Sequence, residues 1–333
     1  MERRVTALVQ PGAALDGVRP VNISRDLPGI ARLIEVCFGD RLDRAGQSAI
    51  AEMRALGRSG ALVRVLALLF RNLPGWQHGF VCERAGRIVG NVGAQAADNG
   101  PDTWLMANVA VHPDYRRLNI ASDLMRAALE HAQRSGAVRA MLQVDEDNTA
   151  ALAMYARLGF HKLTVRTLWE RRPTPELPRR ALLPDGIELR HAQPSHWPQE
   201  KMLLQSLRAE GITWTAPMQV DTLRPTLGRS LQNLLDGRGE ERWLALSGSE
   251  PVGWFYIARA LGGPDQLRIV AQPQWAAQLY PALLTAALAR LGRRAWVLGL
   301  EHPAGDGDDL WIGHHFRAVR TLRWLGLNLS AAR

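Results

Sequence analysis

Cysteine and lysine are nearly missing from this chain. Cys37 and Cys82 are its two cysteines. They form no CxxC pattern, so neither a thiolate zinc site nor a disulfide framework is expected. Both lie in apolar surroundings, Ile34–Phe38 and Phe80–Cys82, and read as small buried hydrophobes. Lys162 and Lys201 are the only lysines, so the positive charge is almost entirely arginine. Long apolar runs are also absent. The most apolar stretch, Ala61–Phe70, is too short to span a bilayer and contains Arg64. Residues 1–17 carry arginines but no apolar core, so no signal peptide is expected. The resulting expectation is a cytoplasmic protein without a membrane segment.

What is present is ordinary globular material. Apolar residues make up 47% and charged residues 22% of the 333 residues. A domain typically runs to about 100–200 residues, so two domains are expected. The formal net charge of +9 favours anionic ligands. No block of basic residues and no basic stripe interleaved with aromatics stands out, which argues against nucleic acid as a partner.

A proline-rich segment divides the chain. Pro173, Pro175, Pro178 and Pro184 fall within Arg172–Asp185 and cannot sit inside a helix or a central strand. The sequences on either side resemble each other. Arg87-Ile-Val-Gly90 matches Glu250-Pro-Val-Gly253, and Val109-Ala-Val-His-Pro113 matches Ile269-Val-Ala-Gln-Pro273. Leu158-Gly-Phe160 matches His314-His-Phe316, and each copy then reads Val-Arg-Thr-Leu, at Val165–Leu168 and Val319–Leu322. The order and spacing are kept, which indicates duplication of a whole domain. The expected division is a tail over 1–17, a domain over 18–172, a linker over 173–186 and a second domain over 187–333.

Periodicity supplies the elements of the first copy. Helices are expected at Leu27–Phe38, within Gly46–Phe70, at Ile120–Arg134 and at Thr149–Leu158. Strands are expected at Gly79–Arg84, Ile88–Ala97, Thr103–Val111, Ala140–Val144 and Phe160–Glu170. Ala85-Gly86 reads as a hairpin turn. This order predicts an α/β (mixed α+β) domain, its mixed and mostly antiparallel sheet flanked by helices.

One stretch of the first copy carries chemistry. Val109-Ala-Val-His-Pro-Asp-Tyr-Arg-Arg-Leu-Asn-Ile-Ala121 runs from an apolar strand through a basic loop into a helix start. Backbone N–H groups there lack helical partners, and the helix dipole favours an anion. Arg116 and Arg117 add charge, while the small residues Ala121 and Ser122 allow a bulky anion to approach.

This stretch resembles motif A of the GCN5-related N-acetyltransferase (GNAT) superfamily, (Gln/Arg)-x-x-Gly-x-(Gly/Ala). Arg116 and Ala121 fill its ends, and Asn119 stands where the family has glycine. Asn tolerates left-handed backbone angles better than most residues. Further on, Asn148, Ala151, Tyr155, Gly159 and Phe160 match the family pattern Asn-x-x-Ala-x-x-x-Tyr-x-x-x-Gly-Phe. The resemblance covers about residues 18–172. It implies two GNAT-like domains, each with a splayed, V-shaped cofactor cleft, and acetyl transfer from acetyl-CoA to an amine. Val109, Ala110 and Val111 would hold the pantetheine arm, and Arg116, Arg117, Leu118, Asn119, Ile120, Ala121 and Ser122 the pyrophosphate. Asn148 and Tyr155 would face the cofactor, with Tyr155 as general acid to the leaving thiolate.

The strand before motif A offers no carboxylate, so the base is open among Asp145, Glu146, Asp147 and His112. No metal is implied. The acceptor is a small-molecule or peptide amine, and a homodimer is compatible with this reading. The alternative is a non-catalytic acyl-CoA-binding or regulatory module. In the second copy Gln-Trp-Ala-Ala-Gln-Leu-Tyr-Pro follows Pro273 without arginine, and counting back from Phe316 puts Trp311 at the place of Tyr155. No turnover is expected there. Eight tryptophans fall in this copy: Trp197, Trp214, Trp243, Trp254, Trp275, Trp296, Trp311 and Trp324.

Overall fold

A computed structural model describes residues 16–39, 79–97, 100–174, 182–209, 220–226, 237–259, 264–292 and 297–329, with residues 50, 51, 53, 54, 228, 229 and 233. Most of the expected helical region Gly46–Phe70, residues 175–181 of the linker, residues 1–15, Trp214 and Trp296 lie outside the described residues.

The chain divides into two compact units, Met1–Leu142 with Leu327–Arg333, and Gln143–Gly326. In the first unit, β1 (Gly17–Pro20) leads into α1 (Ile23–Phe38). Next come β2 (Gly79–Arg84), β3 (Arg87–Ala97), β4 (Gly100–Val111), α2 (Ile120–Arg134) and the start of β5 (Arg139–Asp145), whose residues from Gln143 on fall in the second unit. Strands β1 to β4 pair antiparallel in sequence order. The β2–β3 turn places Ala85 (φ 47°) and Gly86 (φ 74°) in the left-handed region, as the hairpin signal required.

The apolar face of α1 buries Leu27, Ile30, Ala31 and Ile34 against Val81. Helix α2 buries Leu124, Met125 and Ala128 completely. It approaches β3 closely at Gly90, where a Cβ would lie 2.8 Å from both Ile120 Cγ2 and Leu124 Cδ1.

The second unit holds α3 (Thr149–Arg157), β6 (His161–Arg171), β7 (Ile187–His191) and α4 (Trp197–Ala209). It continues with β8 (Gly239–Ser247), β9 (Glu250–Arg259), β10 (Asp265–Ala271), α5 (Ala276–Leu291), β11 (Leu298–Pro303), α6 (Asp308–Gly313) and β12 (Phe316–Asn328).

The duplication is visible in backbone geometry. β4 runs parallel to β5 over three pairs, Thr103↔Arg139 to Leu105↔Met141. β10 runs parallel to β11 over three pairs as well, Asp265↔Leu298 to Leu267↔Leu300. Gly253 lies under α5 as Gly90 lies under α2, with a Cβ position 3.0 Å from Leu283 Cδ1.

The compact units nevertheless do not divide at the linker expected over 173–186. Strand β6, from the first copy, pairs antiparallel with both β11 and β12 of the second copy. Its side chains join that core, with Trp169 packed among Leu300, Trp311 and Phe316. The end of β12 belongs instead to the first unit, where Leu329 N–H donates to Val138 O at 2.8 Å. Ladder pairing, not chain order, sets the boundary.

Candidate functional site

In the first unit the β4–β5 ladder ends at Leu105↔Met141, although β4 continues to Val111. A parallel pair that stops pairing while its strand continues leaves backbone donors and acceptors open along one edge. Val109, Ala110 and Val111 lie in this stretch. A β-bulge precedes them. The β3 register slips between Asn91 and Gly93, and Asn108 takes the left-handed φ of 53°. The Asn91 side-chain amide donates to Asn108 O at 3.0 Å and holds the bulge. Asn91 and Asn108 were not singled out from the sequence. An Asn within the apolar run Met106–Val111 was the available signal, since bulges re-aim backbone groups at functional sites.

The basic loop follows. His112 Nδ1 accepts from Asp114 N–H at 3.4 Å and caps a single 3-10 turn, Pro113–Tyr115. Its imidazole therefore has a structural use. Arg116 Nε donates to Val111 O at 3.4 Å, and Cys37 Sγ reaches the same oxygen at 3.3 Å. Burial pushes the Cys37 thiol up, so it stays protonated. Arg117 (φ 64°) and Asn119 (φ 59°) are left-handed, with the exposed Leu118 between them.

Asn119 is the N-cap of α2, yet its side chain caps nothing. Asp123 N–H donates to Asn119 O, and the preceding N–H groups of Ile120, Ala121 and Ser122 lie in the first turn, where helices supply no partner. The result is an uncapped, electropositive helix end beside a turn of alternating handedness, the geometry of an anion nest. A cavity of about 530 Å³ lies between α1 and the β2–β3 turn and reaches His112, with Arg25, Arg32 and Arg87 on its walls.

The remaining predicted residues belong to the second unit. Asn148 caps α3, its side chain accepting from Ala151 N–H at 3.2 Å. Tyr155 is buried and meets Phe160 edge-on at 5.8 Å. Among the described residues its hydroxyl has no hydrogen-bond partner, and burial alone pushes the phenol up from its ordinary value. It is a neutral donor throughout the working pH range.

Two of the three carboxylates considered as bases are engaged by arginine. Arg320 pairs with both oxygens of Asp145, and Arg323 with both oxygens of Glu146. The Arg323 guanidinium holds the Glu146 carboxyl below its usual range despite partial burial. Such a carboxylate is a weak base. Of the two arginines, Arg320 falls in the Val319–Leu322 repeat and Arg323 lies just outside it, and nothing in their spacing shows which turn they face.

In the second copy Trp311 stands where the first copy has Tyr155. Trp311 is fully buried, and its indole N–H donates to Asp306 O at 3.2 Å. His302 packs against Trp311 and Tyr280 with ring centres 4.9 Å and 5.0 Å apart. β10 pairs with β9 without a register slip, so the bulge of β4 has no counterpart.

A parallel strand pair whose ladder stops short of an uncapped helix occurs in both copies. Residues 54–160 match the model of the acetyltransferase (GNAT) family. It is 34% identical over 89 residues to a probable N-acetyltransferase camello of Xenopus tropicalis, covering 27% of this chain and 41% of that protein. It is 38% identical over 96 residues to a mycothiol acetyltransferase of Thermobispora bispora, covering 28% and 32%. The matches thus span less than half of either relative. A solved tandem GNAT protein from the clavulanic acid biosynthesis pathway shares the fold at a TM-score of 0.54, with 14% identity over 95% of this chain and 99% of that one. Among the described residues no helix is long and apolar enough to cross a membrane, and no cluster of three or more metal-ligating side chains occurs.

Proposed function

We propose that the first copy transfers an acetyl group from acetyl-CoA to a primary amine. The observation that carries this is the uncapped start of α2, placed directly after the unpaired edge of β4. Backbone N–H groups of Ile120–Ser122, with Arg116 and Arg117, suit the two charges of a pyrophosphate. The open edge at Val109–Val111 suits the amides of a pantetheine arm. Bound acetyl-CoA supplies the activated thioester.

Tyr155 keeps its proton on the hydroxyl and offers it to the sulfur as the C–S bond breaks. A buried phenol is a weaker acid than a thiol of ordinary pKa, about 8–9. Tyr155 therefore acts mainly as a hydrogen-bond donor to the developing thiolate, and transfer completes as the product nitrogen gives up its own proton. The attacking amine must arrive neutral, and desolvation favours that form. The engagement of Asp145 and Glu146 by arginine argues against either as its base. The matches to named N-acetyltransferases support the same reading.

Calorimetry on the full chain tests the proposal, followed by a screen of amine acceptors with Tyr155→Phe as control. Saturable acetyl-CoA binding with thiol release on adding an acceptor is expected. No binding would remove the enzyme reading and the acyl-CoA-binding alternative together. Binding without turnover on any amine would favour the alternative.

A further inference from the structure

The turn Asp145–Asn148 links β5 to α3, and α3 carries Tyr155. Within the turn, Asn148 N–H donates to Asp145 O at 3.0 Å. The Asn148 side chain then caps α3. Any shift of the turn would pass into the cap and along the helix to Tyr155, because α3 is only nine residues long.

That turn is held from β12, a strand of the second copy. Glu146 N–H donates to Thr321 O at 3.0 Å. Arg320 grips Asp145 and Arg323 grips Glu146, each through two hydrogen bonds. Residues three apart on a strand point to opposite faces, so the two guanidiniums clamp successive carboxylates from the two sides. The β12–β6 register slips between Ala318 and Arg320 and again between Trp324 and Leu325, leaving Arg320–Trp324 as a regular stretch between irregularities. Thr321 Oγ1 also lies 3.1 Å from Thr167 Oγ1 and ties this stretch to β6. Paired, planar guanidinium–carboxylate contacts are the side-chain interactions best suited to fixing orientation.

We infer that Arg320 and Arg323 are positioning residues for the reaction of the first copy. On this reading, the copy that has lost its own chemistry is retained because its last strand aims Tyr155 and Asn148. The inference rests on the proposed acetyl transfer for its kinetic consequence but not for its structural one.

The test uses the full chain. Arg320→Gln/Arg323→Gln should lower kcat at least tenfold below the melting temperature, with the KM for acetyl-CoA within about twofold of wild type. Hydrogen exchange of the amides from Asn148 to Tyr155 should become faster in the same variant, whether or not any acceptor has been found. The reciprocal exchange Glu146→Arg/Arg323→Glu should recover most of the kcat lost in Arg323→Gln. Wild-type exchange rates in the folded double variant would overturn the inference, as would unchanged kcat. Failure of the wild type to bind acetyl-CoA would count against the proposed function alone, since the exchange measurement would still decide the role of the clamp.

Discussion

Arg323 meets Glu146 end to end: Nε lies 2.8 Å from Oε2, and an Nη donates to Oε1. The contact lowers the carboxyl pKa and so weakens Glu146 as a proton acceptor near neutrality. Because the folded value is depressed, the pair is fully formed at neutral and alkaline pH and is lost only as pH falls through the folded value. Glu146→Gln should therefore lower kcat several-fold through loss of the clamp and leave the pH–rate profile with its limbs unmoved. A limb that disappears in this variant would identify Glu146 as the base after all.

The Tyr155 hydroxyl is unpartnered among the described residues and held in its neutral form by burial. Tyr155→Phe should lower kcat by about 100-fold or more, the scale typical of a lost donor to charge that develops in the transition state. The KM for acetyl-CoA should stay nearly constant. Removing an unpartnered buried hydroxyl costs little, so Tm should fall by no more than about 2 °C. Since the phenol is pushed up, no alkaline limb below about pH 10 should be traceable to it. Steady-state kinetics and a thermal melt check all of these points.

Asn119 shows what the sequence could and could not convey. Its place in the motif marked it as a substitute for glycine, and its φ of 59° bears out the left-handed conformation that such a place needs. Elements with strong local signals were legible: Ile120–Arg134 falls on α2, and the Ala85-Gly86 turn is present. The bulge at Asn108 was not legible, because one polar residue in a strand does not show which register will slip. The engagement of Asp145 and Glu146 was hidden for another reason. Their partners lie 175 and 177 residues away, and local pattern carries no information about such pairs.

The left-handed angle also sets the tolerance of this position. Asn119→Gly should be neutral or slightly stabilising and should preserve acetyl-CoA affinity. Asn119→Val places a β-branched residue where it costs about 1–2 kcal/mol. It should lower stability by that amount and weaken acetyl-CoA binding more than it changes kcat. Denaturant melts and calorimetry on both variants separate the two effects.

In the second copy Trp311 occupies the position of Tyr155 and packs edge-on against His302 and Tyr280. The three rings pack against one another, and burial lowers the His302 pKa, so the cluster stays neutral. Titration should give a stoichiometry of one acetyl-CoA per chain. Trp311→Ala should destabilise the fold by about 3–5 kcal/mol without creating a second site. A stoichiometry of two for the wild type would contradict the assignment of this copy as inactive.

The exchange of last strands has a consequence for dissecting the protein. A fragment ending at residue 172 would contain β6 but neither β11 nor β12, the strands that flank it on both sides. Its ladder hydrogen bonds from His161 to Arg171 would be lost, and Trp169 would leave a core otherwise built from the second copy. An unpaired strand with apolar side chains is a template for association. The fragment 1–172 should therefore aggregate or lack a cooperative thermal transition, whereas co-expression with 187–333 should restore one soluble complex. Size-exclusion chromatography and circular dichroism decide the matter. A monomeric fragment 1–172 with a sharp transition would mean that β6 can find other partners within its own copy, and that the exchange is not required for folding.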